Sequence, residues 1–184
     1  MQLPFTWELK RPRKERIEIE FKGQKSLQVF DGTNGWKLRL FLNRHQVEPY
    51  TAYEMSTTAT KADLDGYLID YAAKGTKIDL VGPDKVQGRD AYNLKVTLQN
   101  GKVRHVWVDA KTFLEAKIEG DSRPMDGKMR PVFTYPSDYR AVNGLTMPFL
   151  NETSVESTRQ TEKMQIEKIT VNPKLDDSLF AKPN

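Results

Sequence analysis

The sequence predicts a mainly β (α+β) protein: a strongly curved, half-open antiparallel β-sheet, an unclosed barrel, with short covering helices inserted around residues 49–75. Three observations predict it. Alternating apolar and polar runs recur along almost the whole chain, eleven of them at spacings of about 10 to 15 residues, the period-2 pattern of half-buried strands. Gly, Asn, Asp and Pro separate the runs, as tight turns require. One stretch, residues 49–75, replaces the alternation by a helical spacing.

"LPFTWEL" and "RIEIEF" are the first two strands, joined by the basic run "LKRPRKER" with Lys10, Arg11, Arg13, Lys14 and Arg16. "SLQVF" and "GWKLRLFL" follow across "FDGTNGW", where Asp31, Gly32, Asn34 and Gly35 tolerate a left-handed backbone. In the interrupting stretch Pro49 suits a first helical turn and Asp63 an N-cap. Leu64, Tyr67, Leu68 and Tyr71 then fall at i, i+3, i+4 and i+7, a single helical stripe that Gly75 is placed to end. Gly66 weakens this helix by about 1 kcal/mol relative to alanine. A shorter helix with Tyr50, Tyr53 and Met55 precedes it, and both are placed to cover the concave face of the sheet.

"KIDLVG", "AYNLKVTL", "KVRHVWV" and "FLEAKIE" continue the strands. Asn100-Gly101 reads as a two-residue type I′ turn, which pairs Leu98 with Val103, Val96 with His105 and Leu94 with Trp107. A second reversal at Asp109 to Thr112 sets Val108 opposite Phe113, Trp107 opposite Leu114, His105 opposite Ala116 and Val103 opposite Ile118. One face of this meander therefore carries Leu94, Val96, Leu98, Val103, His105, Trp107, Leu114, Ala116 and Ile118. The other is polar, with Arg104 on it, and Val106, Val108 and Phe113 interrupt it. "RPVFTY" and "LTMPFL" follow, the latter entered through an Asn-Gly turn in "VNGL", and "MQIEKITV" closes the series.

The chain of 184 residues suffices for one domain with a substantial core. A net charge of +4 is too mild to suggest nucleic acid, and the basic residues lack the interleaved aromatics that stack bases. No run approaches ~18 apolar residues, so no transmembrane segment is expected. The first residues lack the order of a signal peptide, and zero cysteines rule out disulfides and thiolate chemistry.

His45 and His105 stand sixty residues apart, outside any paired-ligand spacing, and no metal site or cofactor is expected. His105 reads as a core or cavity-edge histidine, or as a polar contact for a ligand head group. "KADLDGYLIDYA" fails as a calcium loop because Lys61 and Ala72 stand where carboxylates are needed. GxSxG, GxGxxG and GxxxxGK[ST] are absent, so no enzyme class is supported. "LKRPRKER" reads as a solvated hairpin connection, with docking on anionic lipid as the alternative. The tryptophans Trp7, Trp36 and Trp107 and the methionines Met125, Met129, Met147 and Met164 suit a core, or the lining of a cavity for flexible chains.

Several stretches in order, "KRPRKERIEIEFKG", "VFDGTNGWKL", "LVGPDKVQGRDAYNLKVTLQNGKVRHVWVDAKTFLEAKIEG", "SDYRAVNGLTMPF" and "IEKITVNPKLDDSLFAKP", resemble outer-membrane lipoprotein-sorting proteins of the LolA/LolB-like superfamily. The resemblance covers nearly the whole chain, as one domain of residues 1–184. It implies a half-open curved sheet with helices over its apolar side, a periplasmic location, and carriage of lipid or lipoprotein acyl chains without catalysis. In "NPKLDDSLFAKP", Asp176 or Asp177 caps a turn that sets Phe180 against the sheet. Family members begin with a helix and strand before "PFTWELKRP", so the chain is expected to lack them and to expose an edge strand open to dimerisation. Carriers hold their lid with an arginine on the sheet, whereas Arg104 falls on the polar face in the register above.

Two readings lead. The first is a non-enzymatic envelope protein binding lipid or lipoprotein acyl chains in transport, with Leu94, Val96, Leu98, Val103, His105, Trp107, Leu114, Ile118, Leu64, Leu68 and Tyr71 lining its cavity. The second is an interaction or sensor module with a self-filled core. In that case Val106, Val108 and Phe113 would face an envelope protein partner.

Overall fold

In the computed structural model, residues 2–158 and 161–183 are described, and the protein is mainly β: 54% strand and 8% helix, antiparallel, with no closed barrel among the described residues. The chain divides into two compact units, Met1–Gly66 with Pro173–Asn184, and Tyr67–Asn172.

The first unit holds a five-stranded meander in chain order: β1 (Phe5–Lys10), β2 (Lys14–Phe21), β3 (Gln24–Phe30), β4 (Gly35–Arg39) and β5 (Arg44–Pro49). The "FDGTNGW" turn forms as expected. Asp31 Oδ1 accepts from the backbone N–H groups of Thr33 and Asn34 at 2.7 Å, and Gly32 adopts φ +103°. Gly35 has a packing reason as well, since a Cβ there would come within 2.0 Å of the Tyr50 ring.

A single α-helix, α1 (Ala52–Lys61), follows among the described residues. It is the shorter of the two expected helices, and Thr51 starts it. The Thr51 hydroxyl accepts from Glu54 N at 3.2 Å while the Glu54 carboxylate accepts from Thr51 N at 2.8 Å, a reciprocal capping box. Pro49 instead ends β5, paired with Trp36. The same Glu54 carboxylate accepts from Lys37 Nζ at 2.7 Å and Arg39 Nη2 at 3.0 Å, and Lys37 is buried. Burial, the largest single influence, would raise the Glu54 carboxyl, but the hydrogen bonds from Lys37 and Thr51 together hold it below its ordinary range. Glu54→Ala should therefore cost about 2–3 kcal/mol, because it removes a helix cap and strands a buried ammonium; urea denaturation checks this.

The expected helix from Leu64 to Tyr71 does not form. Residues 64–75 are turns, and Gly66, Asp70 and Gly75 adopt φ of +62°, +51° and +67°. Left-handed residues break an α-helical ladder, so the stripe of apolar residues at helical spacing never becomes one face. Asp63 caps a turn instead, accepting from Asp65 N at 3.2 Å.

The unit closes with a 3-10 turn at Asp177–Phe180. Asp176 Oδ1 accepts from Ser178 N at 2.8 Å, and Phe180 is buried at 1% exposure.

The second unit is a seven-stranded antiparallel sheet of order β14-β13-β12-β9-β8-β7-β6 with a small hairpin, β10–β11, looped out of it. Its strands are β6 (Lys77–Val86), β7 (Arg89–Thr97), β8 (Val103–Asp109), β9 (Glu115–Glu119), β10 (Arg123–Met125), β11 (Lys128–Arg130), β12 (Val132–Val142), β13 (Leu145–Val155) and β14 (Thr161–Gln165). "VNGL" makes the two-residue turn expected of it, with Asn143 and Gly144 at φ +48° and +80° between Val142 and Leu145.

Asn100-Gly101 does not. Leu98 N donates to Lys102 O at 2.8 Å, so Gln99, Asn100 and Gly101 form a three-residue loop in which Gly101 alone takes a left-handed conformation. The register is displaced by one residue from the expected one: Val96 pairs with Arg104, Lys95 with His105, Leu94 with Val106 and Asn93 with Trp107. A one-residue slip moves every side chain of a strand to the other face. The second reversal is also shifted by one residue from the expected one, with residues 110–113 between Asp109 and Leu114 and Phe113 at φ +58°. An irregularity in β9 then brings Ile118 opposite Val106 and Glu115 opposite Val108.

Candidate functional site

The corrected register gives the sheet of the second unit two apolar faces in place of one. On the first, Val96, Val106 and Val108 form a buried cluster flanked by Ile78, Leu94, Leu98 and Ile118, with Tyr67 and Leu68 packed onto it. On the second, Val86, Ala91, Trp107 and Ala116 are buried with Phe133 and Tyr135 against them. Trp107 is fixed from several sides. Its Nε1 donates to Asp84 Oδ2 at 2.7 Å, and Lys117 Nζ lies 4.1 Å from its ring and 4.0 Å from that of Phe133. His105 tilts against Trp107 at 5.8 Å and meets Asn93 Oδ1 through Nδ1 at 2.8 Å.

The residues expected to line one cavity are thereby divided. Leu94, Val96, Leu98, Ile118 and Leu68 come together in the first cluster. His105 and Trp107 stand on the opposite face, and Val103, opposite Thr97, is exposed. Leu114 is half-buried at the closure of the β8–β9 loop. Leu64, in the first unit, and Tyr71 are exposed turn residues. Val106 and Val108, which the sequence placed on the polar face, are the centre of the cluster.

A signal for them existed. The three-residue loop puts Val106 and Val108 on one face with Leu94 and Val96, whereas the two-residue turn left those two valines among charges.

Arg104 is the second correction. As the partner of Val96 it lies on the first apolar face. Its Nη2 is ion-paired with Asp121, its Nη1 donates to Val103 O at 2.9 Å, and its charge acts on the Tyr67 hydroxyl. Its Nε is buried without a partner. Lys102 Nζ approaches Asp121 at 3.5 Å.

Burial pushes the Tyr67 hydroxyl pKa up, against the pull of Arg104. Glu115, opposite Val108 on this face, is likewise raised, by burial alone. A carboxyl raised in the folded state ionises first in the unfolded chain, so stability falls as pH climbs from the ordinary glutamate range through the folded pKa. Glu115→Gln should accordingly stabilise the protein more at pH 7 than at pH 4, a difference that paired thermal melts would detect.

In the first unit, the basic run is largely answered by its own acids. Lys10 and Lys14 both pair with Asp177, pulling its carboxyl down to about 2, and Arg11 pairs with Asp65. A depression of about 490 Å³ beside it is lined by Lys10, Pro173, Lys174, Leu175 and Asp176. Among the described residues no three His, Asp or Glu side chains are grouped to hold a metal ion. No helix among them is long and apolar enough to cross a membrane.

No family model matches the sequence, and no curated protein matches it. Solved structures do. A domain assigned to outer membrane lipoprotein sorting, from Vibrio parahaemolyticus, aligns at 12% identity and a TM-score of 0.62, over 98% of this chain and 81% of its own. A LolA superfamily protein from Nitrosomonas europaea aligns at 14% identity and 0.60, over 98% and 81%. A DUF1329 family protein from Desulfovibrio piger aligns at 15% and 0.60, over 97% and 81%. The chain thus shares an open, mainly β fold with these three proteins. That fold is LolA-like.

Proposed function

We propose that the protein is a non-catalytic, periplasmic binder of lipid or lipoprotein acyl chains, and that the first apolar face of the second unit receives the ligand. One observation carries this reading. The cluster around Val96, Val106 and Val108 is overlaid by Tyr67 and Leu68 from a segment that is turns throughout, with neighbours Ile69 and Tyr71 largely exposed. A cover with so few buried apolar contacts opens at low cost. The face also continues outward to exposed Leu80 and Tyr92, which lie on it through their pairing with Leu94 and Val108.

An acyl chain replacing the cover regains about 25 cal/mol for each Å² of apolar surface it buries, so no chemistry is needed for uptake or release. The LolA-like fold and the lipoprotein-sorting assignment of one structural neighbour support the reading and the envelope location. Native mass spectrometry of the purified protein, followed by organic extraction, tests it. Bound lipid or stoichiometric uptake of added lipid is expected. An apo mass that takes up none would leave a self-filled module, whose partner surface would include Phe113, exposed at 68%.

A further inference from the structure

We infer that Arg104 and the Tyr67 hydroxyl anchor an anionic oxygen head group, carboxylate or phosphate, of a single-chain lipid lying along the first apolar face of the second unit. This rests on the acyl-binding reading above and adds the class of head group.

The first observation is the unfinished hydrogen bonding of Arg104. Its two terminal nitrogens reach Asp121 and Val103 O, but Nε is buried and unpartnered. Buried polar groups in folded proteins are almost always matched, and a guanidinium edge is shaped for a carboxylate or phosphate.

The second observation is charge. Arg104 and Lys102 both face the single carboxylate of Asp121, which leaves one positive charge in excess. If the incoming anion draws Arg104 away, Asp121 keeps Lys102. Glu115, an acid on this face opposite Val108, does not offset the excess fully, because burial favours its protonated form.

The third observation is the path for the chain. From Arg104, β8 runs through Val106 to Val108, roughly 13 Å at the rise of an extended strand, past apolar neighbours Leu94 and Ile118. It reaches the exposed ledge of Leu80 and Tyr92, where the tail of a longer chain has room to emerge. A charged head at the buried end and an apolar outlet at the other fit one amphiphile in one direction.

The test compares oleate, oleyl phosphate and oleyl alcohol as competitors of Nile red, an uncharged dye, on the native protein, Arg104→Met and Tyr67→Phe. At least one anionic lipid should bind about tenfold or more tightly than the alcohol, the worth of a charge-assisted hydrogen bond. Whichever anion binds better identifies the head as carboxylate or phosphate. Arg104→Met should lose most of the preference for anion over alcohol, and Tyr67→Phe, which keeps the charge, should lose a severalfold part of it. Equal binding of anion and alcohol by the native protein overturns the head-group assignment alone, as does a preference that survives both substitutions. Failure of all three lipids to bind overturns the acyl-binding reading with it.

Discussion

Trp107→Ala should lower stability by about 3–5 kcal/mol in urea denaturation while leaving uptake of an apolar dye by the folded protein unchanged. The stability loss follows from a large aromatic truncated in a well-packed place. Trp107 is 8% exposed, sits with Ala91 and Ala116, and its ring contacts both Phe133 and the Lys117 ammonium. Its removal also leaves Asp84 without its indole donor. The unchanged uptake follows from the register, since Trp107 pairs with Asn93 and points away from Val96 and Val106. Loss of dye uptake by a variant that is still folded would place the ligand on the Trp107 face, and the proposed site would then be wrong.

The second large effect is expected in the other unit. Phe180→Ala should cost about 3–5 kcal/mol, measured in the same way, because the ring is almost fully enclosed and the chain around it is a single turn with little of its own to hold it. Asp176→Ala, which removes only the cap from Ser178 N, should cost about 1 kcal/mol. Similar losses from the two would mean that the turn is held by its cap and not by the ring.

This turn shows how much short-range chemistry is legible in sequence. The Asp176-Asp177 pair, followed by Ser178, Leu179 and Phe180, announces a capped turn and the anchored phenylalanine, and the structure assigns the cap to Asp176. "VNGL" and "FDGTNGW" are equally local, because the residues that tolerate a left-handed backbone are few. Most of the strands were legible for the same reason, as period-2 alternation is a property of each run alone.

The candidate site was less legible, and two residues show why. Asn100-Gly101 is compatible with a two-residue or a three-residue loop, and the choice between them reverses the faces of β7 and β8, so Arg104 and Trp107 exchange sides. Gly66 fits inside a helical stripe at a cost of only about 1 kcal/mol, yet here it takes a left-handed conformation and the stripe becomes a chain of turns.

The sequence by itself determined a mainly β antiparallel chain, the "FDGTNGW" and "VNGL" turns and the capped C-terminal turn, because each depends on residues within a few positions of one another. Only the tertiary structure decided which residues share a face, that Arg104 lies among valines, and that turns overlie the cluster in place of a helix. Those outcomes depend on packing across strands, where several local conformations differ by about 1 kcal/mol and the burial of Val96, Val106 and Val108 together outweighs the difference.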